Sequence, residues 1–176
     1  MTGKTFYNNV TRDNDDLVHR FLGLLAETGA EYCVIGGLAV NAYAEPVVSL
    51  ALDVVVASNQ LESLRTAAHA SGMVVEDFEH SVNLSMPGSD VRIQLQRDPR
   101  YQAFIARAVS RSVLGYTMHV AALDDVLQGK LWAYSDAGRR ASKRQKDLAD
   151  ILRLVEEHPE LKPRLPREIA EMMDRV

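Results

Sequence analysis

A paired glycine between two apolar runs, followed by a lone aspartate inside the next apolar run, constrains this chain more than any other feature. Glu31 to Ile35 is short and β-prone, Gly36-Gly37 interrupts it, and Leu38 to Ala44 has helical composition until Pro46. Val47 to Ala57 then reads as a long, valine-rich, buried strand that carries Asp53. Adjacent glycines let a backbone approach a ligand closely, and the helix amino terminus that follows offers N–H groups to a phosphate. A tight connection with no ligand is the plainer reading of the same pair. Along the strand, alternation puts Ser49, Ala51 and Asp53 on one face and Leu50, Leu52 and Val54 on the other. Burying a lone carboxylate is costly, so Asp53 is either a ligand or a residue at the sheet margin.

The remaining periodicity fills in an α/β (α+β) fold, a small mixed sheet flanked by helices. Asn14 to Ala30 is an amphipathic helix through Leu17, Phe21, Leu24 and Leu25, with Asp13 or Asn14 as cap and Gly29 as its end. Gln60 to Ala70 is a second helix, closed by Gly72. Met73 to Phe78, Val82 to Met86 and Asp90 to Gln96 are predicted strands, with the turn Pro87-Gly88-Ser89 before the last. Tyr101 to Ser110 is predicted helical and Tyr116 to Val120 a short strand. Leu123 to Tyr134 and Ser142 to Glu157 are predicted helices, and Leu161 to Val176 ends in a short amphipathic one.

With 176 residues, 47% of them hydrophobic, the chain can bury one core. A single domain over 1–176 is expected, sheet-bearing over 1–100 and mainly helical over 101–176, with the carboxy-terminal helices on the same core. A net charge of -4 provides no global attraction to nucleic acid or anionic membrane, so any polyanion site must be local. The single cysteine, Cys33, sits in an apolar run, which fits a core position and a reducing compartment. Met1 to Asn9 is polar and has no apolar h-region, and no run reaches the roughly 18 apolar residues of a membrane span. A cytoplasmic protein without membrane contact is expected. The five histidines are dispersed and lack metal-ligand spacing.

Ile-Gly-Gly-x-Ala followed by Ser-x-Ala-x-Asp resembles the pattern of the nucleotidyltransferase-fold superfamily, a Gly-Gly or Gly-Ser turn before Thr/Ser-x-Asp-x-Asp. Gly36, Gly37 and Ser49 match its nucleotide-binding positions, Asp53 matches its second aspartate, and Ala51 stands where the first would be. The resemblance implies transfer of a nucleotidyl group from a nucleoside triphosphate (NTP) to a hydroxyl, with RNA or protein as acceptor and magnesium (Mg2+) held by carboxylates. It also implies a third carboxylate on a nearby strand, for which Asp90 is the candidate; otherwise Asp90 is a turn residue. Metal ligands on this reading are Asp53 and Asp90.

The run from Leu123 through Lys130-Leu131-x-Ala133 to Lys146-Asp147-x-x-Asp150 resembles the helical part of the toxin-type nucleotidyltransferases of abortive-infection and toxin–antitoxin systems. The resemblance makes Lys130 a neutraliser of the triphosphate and Asp147 a further acidic group or the partner that holds Lys130, and it implies an antitoxin or other partner protein. Asp124 and Asp125 read as helix amino-terminal charge. Arg139, Arg140, Lys143 and Arg144, with Lys146, are either a solvated face or a phosphate-tracking surface for an RNA acceptor. With one family carboxylate replaced, the expectation is the family reaction with weak or absent activity. The alternative is a non-catalytic nucleotide- or partner-binding regulatory protein of the same fold. Natural loss and deliberate Asp-to-Ala replacement leave the same alanine at 51.

Overall fold

The computed structural model describes residues 1–13 and 16–175. Helix α1 (Gly3–Val10) is followed by α2 (Leu17–Thr28), β1 (Tyr32–Ile35), α3 (Gly36–Val40), β2 (Ala51–Val56) and α4 (Leu61–Ala70). Strands β3 (Val74–Asp77), β4 (Ser81–Ser85) and β5 (Arg92–Gln96) come next, then a 3-10 segment over Pro99–Arg107. The chain continues with β6 (Val109–Val113), β7 (Tyr116–Val120), α5 (Leu123–Ser135), α6 (Ala141–Glu157), a 3-10 turn over Pro159–Arg164 and α7 (Arg167–Met173).

The strands form one mixed sheet in the order β3-β4-β5-β2-β1-β7-β6. The β2–β5 and β1–β7 pairs are parallel and the rest antiparallel. Leu52 and Val54 on β2 and Ile93 and Leu95 on β5 are fully buried, which gives the sheet its apolar face and leaves Ala51, Asp53, Gln94 and Gln96 on the other. Buried apolar residues from Tyr7 to Ile169 pack in one contiguous cluster, and Cys33 lies within it. Burial pushes the Cys33 thiol up to about 12, so it stays a protonated core group. No helix among the described residues is long and apolar enough to cross a membrane.

Three elements depart from the sequence expectation. Residues 1–9, read only as polar and assigned no element, include α1: Thr2 caps it by accepting from the Thr5 N–H at 3.1 Å, and Tyr7 is buried. The predicted helix over Tyr101 to Ser110 is a 3-10 segment that gives way to β6, because Leu114 and Gly115, at φ of 51° and 84°, form a tight turn that folds β6 back onto β7. The strand predicted from Val47 starts at Ala51. β1 pairs with β2 only as far as Ile35 against Asp53, and the Asn41 side-chain amide takes over the Val47 backbone with bonds of 2.7 and 3.0 Å. At α2, Asp13 accepts from the Leu17 N–H and Asp16 is the cap; Asn14, the other expected cap, lies outside the described residues.

Candidate active site

The β1–α3 junction sets the geometry. Gly36 has φ of 72°, in the left-handed region, and a Cβ there would fall 2.3 Å from Asp53 Oδ2. Glycine at 36 therefore lets the Asp53 carboxylate rest against the turn. A Cβ on Gly37 would lie 3.7 Å from Ser49 Oγ, an ordinary contact. The Ser49 hydroxyl donates to the Ala51 carbonyl at 3.2 Å and accepts from the Ala51 N–H at 3.3 Å, while Tyr7 Oη donates to the Ser49 carbonyl at 2.8 Å. Helix α1 thus fixes the segment that leads into β2.

Above this floor, α5 and α6 supply charge. Lys130, 6% exposed, lies 3.0 Å from Asp147 Oδ1 and 2.7 Å from Asp150 Oδ2. The contact to Asp150 is ionic, without hydrogen-bond alignment, and the other Asp150 oxygen accepts from Arg153 at 2.8 Å. Arg139 reaches back from before α6 to bind Asp147 at 2.5 and 3.3 Å. Burial works to raise the Asp150 carboxyl, but Lys130 and Arg153 outweigh it and hold it below the usual carboxylate range. The Asp53 carboxyl is pushed the other way. Burial dominates and raises it above that range, against the opposing fields of Lys130, Arg139, Lys143 and Lys146. Partial desolvation and the crowding of Lys146, Arg139 and Arg92 hold the Lys143 ammonium below its ordinary value.

These groups share one cleft of about 330 Å³ between the polar sheet face and α5–α6. Gly36, Gly37, Ser49, Asp53, Lys130 and Asp147, all singled out in the sequence, line it together with Ala51. Arg139 and Lys143 line it as well, whereas Arg140 is exposed outside it and Arg144 is engaged with the Tyr134 carbonyl at 2.8 Å and the Tyr134 ring. The basic run is therefore split rather than one continuous face.

Asp90 is not brought to the cleft. It precedes β5, is exposed, and faces the Arg12 guanidinium at 3.7 Å, because β5 pairs with β2 in a register that sets Gln94 beside Asp53 and Arg92 beside Ala51. The carboxylate expected at 90 is thus a turn residue, and the position facing Asp53 carries an uncharged amide. Sequence reasoning gave no site role to Gln96, Tyr101 or Asp125 and named Lys146 only within the basic run; all four line the cleft. Asp125 stands in the first turn of α5, as expected of helix amino-terminal charge, and it is also buried and paired with Arg107 at 2.8 and 3.0 Å. Tyr101, whose hydroxyl burial pushes up to about 12, donates to the Gly129 carbonyl at 3.4 Å. Alternation past Asp90 was the signal for Gln94 and Gln96; no local pattern pointed to Tyr101.

The donor set does not fit the carboxylate-held magnesium implied by the resemblance. Among the described residues no group of three or more His, Cys, Asp or Glu side chains is placed to hold a metal ion. Asp53 is the one sheet carboxylate in the cleft, and Asp147 is committed to Lys130 and Arg139.

No protein-family model and no curated protein sequence matches this chain. Solved structures do. The solution structure of the antibiotic-resistance factor ANT(2'')-Ia aligns at a TM-score of 0.57 and 13% identity, over 89% of this chain and 86% of that one. The lincosamide antibiotic adenylyltransferase LnuA, with lincomycin bound, aligns at 0.55 and 9% identity, over 78% and 95%. An antigenic nucleotidyltransferase-like protein from Paracoccidioides brasiliensis aligns at 0.51 and 17% identity, over 81% and 77%. Joined to the glycine turn and Asp53 on adjacent strands, these alignments establish that the chain has the nucleotidyltransferase fold.

Proposed function

We propose that the cleft binds a nucleoside triphosphate, and that nucleotidyl transfer to a hydroxyl acceptor is weak or absent in the chain as it stands. The observation that carries this reading is the β2–β5 register, which sets uncharged Gln94 beside Asp53, with Ala51 two residues before it on the same strand, beneath the cations of α5 and α6. Cations in a partly desolvated cleft suit a polyphosphate, whereas loss of charge-stabilising groups for a phosphoryl transition state removes orders of magnitude in rate. The adenylyltransferase named among the structural neighbours supports a nucleotide as the ligand class. Arg139 and Lys143 serve that nucleotide; with Arg140 and Arg144 directed elsewhere, an RNA-tracking role for the run is the weaker reading.

The test is direct. The chain is titrated with ATP, GTP, CTP and UTP by calorimetry, and Ala51→Asp, alone and with Gln94→Asp, is assayed for magnesium-dependent incorporation of labelled nucleotide. Binding by the unmodified chain with incorporation near background, and a gain of at least tenfold in the carboxylate variants, is the expected result. Absence of binding by all four nucleotides would sink the reading.

A further inference from the structure

Charge in the cleft is distributed unlike a site that works through divalent cations. Asp125 is neutralised by Arg107, and Asp147 by both Lys130 and Arg139. Asp150 is likewise paired with Lys130 and Arg153. Lys143 and Lys146 line the cleft and make no ion pair among the described residues. They face Asp53 and otherwise uncharged groups, Ala51, Gln94 and Gln96. A divalent cation entering at Asp53 would meet these ammonium groups and Arg139 with a single sheet carboxylate to hold it. A polyphosphate would meet the same cations as ready counter-charges. Lysine ammoniums are mobile point charges that can follow phosphate oxygens, and Arg139, hydrogen-bonded to Asp147, offers a positioned guanidinium beside them.

From this distribution we infer that the cleft takes the triphosphate as the metal-free polyanion, with Lys143, Lys146 and Arg139 occupying the role that bound divalent cations fill elsewhere. The inference rests on the nucleotide reading above and adds the ionic form of the ligand. It covers any linear polyphosphate of similar charge, so free nucleotide and inorganic tripolyphosphate are separate arms of one experiment. Magnesium competes by removing charge from the ligand, and added magnesium weakens binding.

Calorimetric titrations of the full chain with ATP and with inorganic tripolyphosphate, each in EDTA and in excess magnesium, test this. Expected are an affinity for ATP in EDTA at least threefold tighter than in magnesium, and a loss of tenfold or more in EDTA for Lys143→Ala/Lys146→Ala. Both side chains are exposed, so circular dichroism and thermal melting of the double variant should match the parent. Tripolyphosphate binding as tightly as ATP assigns the affinity to phosphate alone; a tighter ATP adds a base contact, and both agree with the proposal. ATP binding that requires magnesium overturns the inference and leaves the nucleotide reading standing, as does a double variant with parental affinity in EDTA. No ATP binding in either condition overturns both.

Discussion

Gly36 and Lys130 are the two positions where a single atom decides most. At Gly36 a methyl group would enter the space of the Asp53 carboxylate and an L-residue would sit at φ of 72°. Gly36→Ala is expected to cost about 1–3 kcal/mol by chemical denaturation, and to weaken nucleotide binding through the displaced Asp53. Lys130 is buried between two aspartates, and such a network is costly to break because the partner left behind stays desolvated. Asp150→Asn should lower stability by roughly 2–4 kcal/mol at neutral pH. The sign of its pH dependence follows from the carboxyl being held below its usual range, burial notwithstanding. Its stabilisation is fully present above the unfolded value of about 4 and lost as the pH falls through the lower folded value. Urea melts of parent and variant should therefore converge below about pH 4.

Helix α1 shows how an element outside the sheet can set the site. Its buried Tyr7 donates to the Ser49 carbonyl, packs edge-on against Tyr116 at 6.3 Å, and so ties the chain's start to the strand that carries Asp53. Tyr7→Phe keeps the packing and orphans that carbonyl, for an expected loss of about 1–3 kcal/mol. Because the bond lies on the segment before β2, nucleotide affinity should drop with it, read by the same calorimetry. The β6–β7 hairpin meets α1 at its turn, where a Cβ on Gly115 would fall 2.8 Å from the Lys4 backbone nitrogen. Gly115 is fixed both by its φ of 84° and by this contact.

The cleft exists because α5 and α6, which follow the β6–β7 hairpin, fold back over the polar face of the sheet and set their cations above Asp53. Ligand binding should therefore stabilise the whole chain. ATP at about 100 times its dissociation constant adds about 2.7 kcal/mol, a thermal shift of roughly 5–10 °C for a protein of this size. The shift should shrink in 1 M salt, where charges are screened beyond about 3 Å; a shift unchanged by salt would assign the binding to the base rather than the phosphates.

Local chemistry in the sequence was sufficient for the glycine turn, the strand face carrying Ala51 and Asp53, and the strong helices α2, α5 and α6, since each rests on a repeat of two or 3.6 residues or on a turn that glycine permits. The spacing around Lys130 and Asp147 carried only the expectation of a toxin-type protein; the solved structures bear on the fold alone. Tertiary structure alone decided which strand positions are neighbours. The β2–β5 register set Gln94 rather than Asp90 opposite Asp53, and register is a pairing between distant segments that no local period encodes. It also decided the states of charge. Lys130, Asp125, Asp147 and Asp150 have the composition of helix surfaces in sequence, and they became buried pairs because their partners arrive from other turns and other elements of the fold.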